Sequence, residues 1–345
     1  MTFIRRFIDP YLMLLIATVA LAAVLPARGE GARIADGAVT VAVALLFFLY
    51  GARLAPAAIW AGLTHWRLQG LVFLSTFALF PLLGLGVSSA ARAWLPGEIA
   101  TGILFLTLLP STVQSSIAFT GIAGGNVPAA LCSASVSNLV GTVLTPLIVA
   151  LLLPLVGLPG ASGGVSWHAI QSIAAQILLP FVAGQLARPL IGGWIARHKG
   201  PTTLVDRGSI LLVVYAAFSE GVVAGIWHAV SAGDLALVLV CNGVLLAAVI
   251  ALTTWGARRL RFSKPDEIAI VFCGSKKSMA SGIPMATILF AGSSVSLIVL
   301  PLMIFHQVQL FVCAVLARRY AAQTAGGIDP ARADAGVVAA AVDNR

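Results

Sequence analysis

Charge is what this sequence has least of. Only 10% of its 345 residues are Asp, Glu, Lys or Arg, against 59% hydrophobic, and the mean hydropathy is +1.01. A water-exposed surface needs far more charge than that, so a soluble enzyme or binding module is excluded and an integral membrane protein remains. At about 20 residues per span plus short connections, the length allows roughly nine to eleven transmembrane helices. The apolar segments run on without alternation, which excludes a β-barrel. Cysteine is also scarce. The four, Cys132, Cys241, Cys273 and Cys313, all sit in apolar runs without paired spacing, so neither a disulfide framework nor a zinc site is expected. Absent too are a nucleotide-binding glycine loop, His-Glu-x-x-His, Gly-x-Ser-x-Gly and paired intramembrane aspartates, which speaks against a primary pump and an intramembrane enzyme. No cofactor is expected beyond a coupling ion, sodium or a proton.

The net charge of +9 would suggest nucleic acid in a soluble protein. Here the basic residues fall between apolar runs, so they read as topology and the partner is the lipid bilayer. Charge-free stretches place ten spans at about 11–27, 35–52, 69–91, 99–123, 127–156, 168–190, 208–229, 235–256, 266–291 and 294–317. With a cytoplasmic N-terminus, sixteen of the 21 Lys and Arg fall inside and only Arg28, Arg33 and Arg92 outside. Lys276 and Lys277 fall within a span. That asymmetry puts both termini in the cytoplasm. The Ala-, Gly- and Arg-rich composition suggests a bacterial inner membrane, and residues 321–345 read as a flexible cytoplasmic tail. Arg5-Arg6 before an apolar run has the look of an export signal, but a first helix is the simpler account. Oligomeric state is not legible.

Two spans are not hydrocarbon throughout. The fourth contains Leu109-Pro110-Ser111-Thr112-Val113-Gln114-Ser115-Ser116, where proline removes a donor and clashes with the preceding turn. The ninth contains Cys273-Gly274-Ser275-Lys276-Lys277-Ser278-Met279-Ala280-Ser281-Gly282. Each is followed by a second polar stretch: Ser133-Ala134-Ser135-Val136-Ser137 in one case, Ser293-Ser294-Val295-Ser296 in the other. Polar interruptions in corresponding positions of two halves point to an inverted-repeat transporter. The repeats are residues 8–156 and 165–320. Five spans is an odd number, so the second copy must insert upside down. The expected fold is therefore all-α, ten helices in two inverted five-helix repeats, with broken fourth and ninth helices crossing where they can be buried in protein or line a cavity. A proline kink with Ser and Thr satisfying local carbonyls would account for the fourth span alone, but not for the pairing.

The stretch Phe272-Cys273-Gly274-Ser275-Lys276-Lys277-Ser278-Met279-Ala280-Ser281-Gly282-Ile283-Pro284-Met285, with Gly125-Asn126-Val127, Val136-Ser137 and Thr145-Pro146, resembles the bile acid:sodium symporter family. It is most similar to the lysine-bearing subgroup that includes solute carrier family 10 member 7 and bacterial homologues. The resemblance covers roughly residues 8 to 320. It implies the ten-helix fold with unwound fourth and ninth helices. It also implies one ion site in which the family's ninth-helix Glu falls on Cys273, its Gln on Lys277, and a third-helix Gln on Thr76, judged by distance to Pro81. The carboxylate is missing. The other site would retain oxygens at Ser115, Ser116, Ser133 and Ser137 as possible sodium ligands.

Intramembrane ionisable groups mark function by default. Lys276 and Lys277, with Ser278, are therefore expected in a substrate or ion cavity. The alternative is that both lysines snorkel at the mouth of a helix starting at Ser278. That helix would run only from Ser278 to Ala291, too short to span. Gln114 joins the candidates through the fourth-span break. Glu220, far from any loop, would neutralise a lysine or carry protons, or else lie at the outer interface. His306, Gln307, Gln309, Asn138 and Asn242 read as interhelical hydrogen-bonding groups. The expected function is a secondary transporter for a small organic anion working by alternating access, and the alternative is a non-transporting regulator of calcium homeostasis. The topology has a direct check: in a background lacking the four native cysteines, cysteines placed beside Lys199 and Lys264 should resist an impermeant thiol reagent in intact cells. Ready labelling from outside would overturn the ten-span count.

Overall fold

Helix signals in the sequence set most of the boundaries. In the computed structural model, which describes residues 10–53, 65–156, 179–223, 225, 230–290 and 294–326, helix α1 (Pro10–Val24) starts on a proline whose missing N–H costs nothing there. Helix α2 (Glu30–Arg53) has an acid in its first turn and a base in its last, matching the macrodipole. Helix α3 (Trp66–Ala91) carries one π-helical turn at Ser75–Leu79. Then follow α4 (Gly97–Leu108), α5 (Val113–Ile122), α6 (Val127–Val156), α7 (Leu179–Arg197), α8 (Lys199–Val223) and α9 (Ala232–Arg259). The last three are α10 (Lys264–Gly274), α11 (Met279–Leu289) and α12 (Val295–Gly326). Helix α9 opens on a capping box, in which Ser231 and Asp234 satisfy each other's backbone amides. No strand occurs among the described residues.

Six of these helices, α2, α3, α6, α8, α9 and α12, are long and apolar enough to cross a bilayer. The protein is a multi-pass membrane protein. Its outer faces are accordingly apolar: Val24, Ile34, Leu186 and Leu190 are all largely exposed, which lipid tolerates and water does not.

Two boundaries differ from the sequence expectation. Helix α8 begins at Lys199 rather than near 208, because charged residues end a hydrocarbon span without ending a helix; the first turns simply carry the charge. Helix α12 likewise continues to Gly326, into the stretch expected as tail, while residues 327–345 lie outside the described part. Residues 168–178 of the expected sixth span, Ser293 and Arg5-Arg6 also lie outside it.

The helices fall into two sets. Helix α7 packs most extensively on α2, and α8 lies against both α1 and α2. The remaining helices surround the two interrupted segments, and α8 also touches α11 and α12. The α2–α7 contact is a glycine contact. A Cβ on Gly51 would stand 2.0 Å from the Phe181 carbonyl oxygen, and one on Gly184 would stand 2.0 Å from that of Phe48, so the two backbones touch directly. In the other set α4 is buried from Ile99 to Leu108 and α10 from Glu267 to Gly274, which makes the interrupted helices the centre of the protein.

Gly51→Ala should therefore lower thermal stability by about 1–3 kcal/mol through overpacking. Gly37→Ala in the same helix, where an added Cβ meets nothing within 4 Å, should cost nothing. Thermal unfolding in detergent compares them; equal midpoints for the two variants would mean that the α2–α7 approach is looser than described.

Candidate functional site

Each interruption is four residues long: Leu109 to Thr112 between α4 and α5, and Ser275 to Ser278 between α10 and α11. The first follows from Pro110. Its ring excludes the Leu106 carbonyl, it has no N–H, and it forces the preceding residue into extended backbone, as Leu109 adopts with φ −75° and ψ 155°. The second has no proline. There α10 ends at Gly274, and Ser275 turns its hydroxyl back onto the Val271 carbonyl at 2.6 Å. Helix α11 restarts behind the N-cap Ser278, whose side chain accepts from the Ser281 amide.

The two interruptions are joined to each other. The Ser278 amide donates to the Pro110 carbonyl at 2.9 Å, and the Thr112 hydroxyl donates to the Lys277 carbonyl at 2.9 Å instead of capping its own helix. The Ser111 hydroxyl donates to the Cys273 carbonyl at 2.6 Å, in the last turn of α10. In return the Lys277 ammonium donates to the Leu109 carbonyl at 2.7 Å, at the end of α4. Freed backbone groups of one break thus find partners in the other, which is the condition for irregular backbone to persist away from water.

A second correspondence concerns the residue just before each N-cap. In the first break this is Ser111, whose N–H donates to the Ser137 hydroxyl at 3.1 Å and whose carbonyl accepts from Asn138 Nδ2, both side chains standing on α6. In the second it is Lys277. Its N–H donates to Gln309 Oε1 at 2.9 Å and its carbonyl accepts from Gln309 Nε2 at 3.0 Å, from α12. His306 Nδ1, 2.9 Å from the same Nε2, holds the amide in place. Asn138 also accepts from the Ser281 hydroxyl at 2.8 Å, tying α6 to α11.

Both lysines are fully buried, and their surroundings differ. Lys277 Nζ donates to the Thr76 carbonyl at 2.8 Å as well as to Leu109, and sits 4.3 Å from the centre of the Phe80 ring. Lys276 Nζ has no hydrogen-bond acceptor. It lies over the rings of Phe119 at 4.2 Å and Phe272 at 5.3 Å, with Cys273 and Cys313 nearby. Among the described residues neither lysine forms an ion pair.

The other expected site residues divide. Thr76 meets Lys277 through its carbonyl, whereas its hydroxyl turns back to the Val72 carbonyl at 2.8 Å. Ser116 donates to the Phe272 carbonyl at 3.0 Å, Ser137 is spent on Ser111, and the hydroxyls of Ser115 and Ser133 are buried without a partner. Gln114 occupies the first turn of α5, and its side chain lies outside the described part. Glu220 is not brought to the lysines. It is exposed near the end of α8, with Asp36 of α2 as its charged neighbour. Asn242, one of the expected interhelical groups, donates to the Pro301 carbonyl at 2.9 Å. The carbonyl of Leu109, the ring of Phe80 and the clamp by Gln309 are not spelled out by any motif, although Gln309 does stand with His306 and Gln307 in a mostly apolar span.

Gln309→Leu should unclamp the second break, stranding two buried backbone groups at about 1–3 kcal/mol each. A clearly lowered unfolding midpoint is expected, and a Gln309→Leu protein as stable as wild type would show that something else holds Lys277.

A family model for the SBF-like CPA transporter family matches residues 9–322. Protein PA2026 of Pseudomonas aeruginosa is 56% identical over 317 residues, covering 92% of this chain and 94% of the relative. YfeH of Escherichia coli K12 is 53% identical over 319 residues, covering 92% and 95%. Sodium/bile acid cotransporter 7 of Mus musculus is 29% identical over 284 residues, covering 80% and 81%. With the match running through both interrupted helices and the helices that clamp them, the chain belongs to the SBF-like CPA transporter family.

Proposed function

We propose that this protein is a secondary transporter that carries a small organic anion across the membrane by alternating access. The observation that carries the reading is the reciprocal contact of the two breaks, each four residues long and each clamped at the residue before the N-cap. Helices α4 and α5, like α10 and α11, are each too short to span alone, so each pair makes one broken span. Counted this way the helices make ten spans in two inverted five-helix repeats. The breaks cross near the bilayer centre, and both termini lie in the cytoplasm of a bacterial inner membrane. Bonds that reciprocate between segments related by a twofold axis are what such a repeat would produce.

The charge of the site supports an anion. Among the described residues the two buried lysines stand without an ion pair and the Lys276 amine has no acceptor, so an anionic group arriving between the breaks would supply one. The unpartnered hydroxyls of Ser115 and Ser133 are further donors for that group, or oxygen ligands for a coupling cation together with Ser116 and Ser137. The serine set has no carboxylate, so a sodium ion there would depend on neutral oxygens alone. Movement is read as rocking of the set built on α1, α2, α7 and α8 against the set that holds the breaks, since the Gly51–Gly184 contact makes the former a unit.

Purified protein in proteoliposomes, given labelled organic anions that include a bile acid under imposed sodium or pH gradients, tests this. Saturable uptake of at least one anion, accelerated by the same anion trapped inside, is expected. Lys276→Met should weaken it about tenfold or more, consistent with loss of a charge-assisted contact. No saturable uptake and no thermal stabilisation by any anion of the panel would favour the regulator reading instead.

A further inference from the structure

We propose that the Lys277 ammonium is a resident cation, tethered in a carbonyl-lined cation position where the two breaks meet, and that it leaves this position with no need of sodium. The inference deepens the transporter reading and takes its coupling role from it, but the occupancy of the position stands on geometry alone.

The position is built from backbone. In an ordinary helix the Thr76 carbonyl would accept from the Phe80 amide. The π-turn at Ser75–Leu79 diverts that amide to the Ser75 carbonyl, and the next residue in line, Pro81, has no amide to offer. Thr76, itself fully buried, is thereby left with a free carbonyl in mid-helix. The Leu109 carbonyl is freed differently: it stands on the extended residue that ends α4, before Pro110, where the partial negative charge of the helix terminus accumulates. The Phe80 ring adds the negative face of its quadrupole. Three partially negative groups converge on one point, and none of them is ionised. Unwound carbonyls and half-helix C-termini are the places where broken-helix transporters hold coupling cations. Here the point is filled by Nζ, at 2.8 and 2.7 Å from the two oxygens.

The surroundings also select the charged form of the amine. A neutral amine with both hydrogens on carbonyls would turn its lone pair toward the Phe80 ring, where electron density repels it; an ammonium meets the same face with attraction. Lys276 shows that burial alone does not produce this arrangement, since the adjacent amine, equally buried, touches no oxygen acceptor. The root of Lys277 is fixed as well, because Gln309 holds its backbone N–H and carbonyl together. A tethered cation cannot be exchanged for a free one, so this position takes no sodium from solution. A coupling sodium must act elsewhere, and the hydroxyls of Ser115 and Ser133 are among the buried oxygens left without a partner.

The test vacates the position and offers small cations. Unfolding midpoints of detergent-purified wild type, Lys277→Ala and Lys277→Met are measured in choline chloride, with sodium or methylammonium substituted at constant ionic strength. Lys277→Ala, which leaves a hole lined by two carbonyls, should be destabilised in choline and recover saturably with sodium or methylammonium, in the manner of a bound ligand. Lys277→Met fills the hole with hydrocarbon and should show no such recovery. Wild type should respond no more than Lys277→Met does. Should Lys277→Ala fail to fold, Lys277→Gln, which retains a donor for one carbonyl, takes its place with the same expected cation dependence. Identical cation responses in wild type and in whichever vacated variant folds would overturn the proposal, as would a saturable sodium stabilisation of wild type that Lys277→Met abolishes. These midpoints are read without any substrate. Absence of anion uptake in proteoliposomes would thus count against the transporter reading and leave the tethered cation standing.

Discussion

A backbone amide or carbonyl without a partner in a low-dielectric interior costs far more than a side chain out of place, and the centre of this protein is arranged around that cost. Between Leu109 and Thr112, and again between Ser275 and Ser278, the chain gives up its own helical hydrogen bonds at the most buried depth of the fold. Neither segment could exist there alone. Pro110 accepts from Ser278, Lys277 accepts from Thr112, and Cys273 accepts from Ser111. The long helices that follow each break then supply the side chains that close what is left, Ser137 and Asn138 on α6 and Gln309 on α12. Helix order, the burial of α4 and α10 and the position of α12 all follow from the need to bring these partners together.

That requirement explains which parts of the structure could be read from sequence. The interruptions were legible because proline, hydroxyls and lysines have no place on a lipid-facing helix, so Pro110-Ser111-Thr112 and Ser275-Lys276-Lys277-Ser278 stand out against their surroundings. Helix order was legible for the same reason. Contacts made by backbone were not. The sequence offers Thr76 as a side chain at the place of the family's third-helix Gln, but it is the Thr76 carbonyl that reaches Lys277, and its availability depends on a π-turn whose only trace in the sequence is Pro81 five residues on. Gln309 read as general interhelical glue because nothing in an amide says which backbone it will bridge. Charge misled at the ends. Lys199 to Arg207 looked like a loop and is helix, since charge reports where a segment leaves lipid and not where its hydrogen-bond ladder stops.

Lys276 and Lys277 are neighbours in sequence with identical side chains, yet they occupy opposite environments. The difference comes from the direction each takes out of the break. Lys277 points toward α3 and the end of α4, where interrupted helices expose carbonyls. Lys276 points toward the faces of Phe119 and Phe272, where there are none. One amine has its hydrogen-bonding capacity engaged by the protein, and the other keeps all of it. A site that has to hold a charged solute for a short time and then release it needs this second kind of group, because an interaction already satisfied internally offers nothing to a ligand.

The acids of the structure reinforce that division by being occupied elsewhere. Glu267 is the buried carboxylate of α10, at 4% exposure, and it accepts from Arg258, Lys264 and Tyr320 together. It stands nine residues before Lys276, about 13 Å along a helix axis, too far to act as counterion without unwinding α10. Asp266 is held by Asn126 and Ser263 at the same end. Glu220 is exposed on α8, with Asp36 as its charged neighbour. None of these three acids pairs with Lys276 or Lys277, so among the described residues no ion pair compensates the charge at the breaks. Burying two such cations is costly, and a neutral pair of residues would fold more easily. Their presence makes sense if a negative charge is brought in from outside and carried away again, as the proposed anion transport requires.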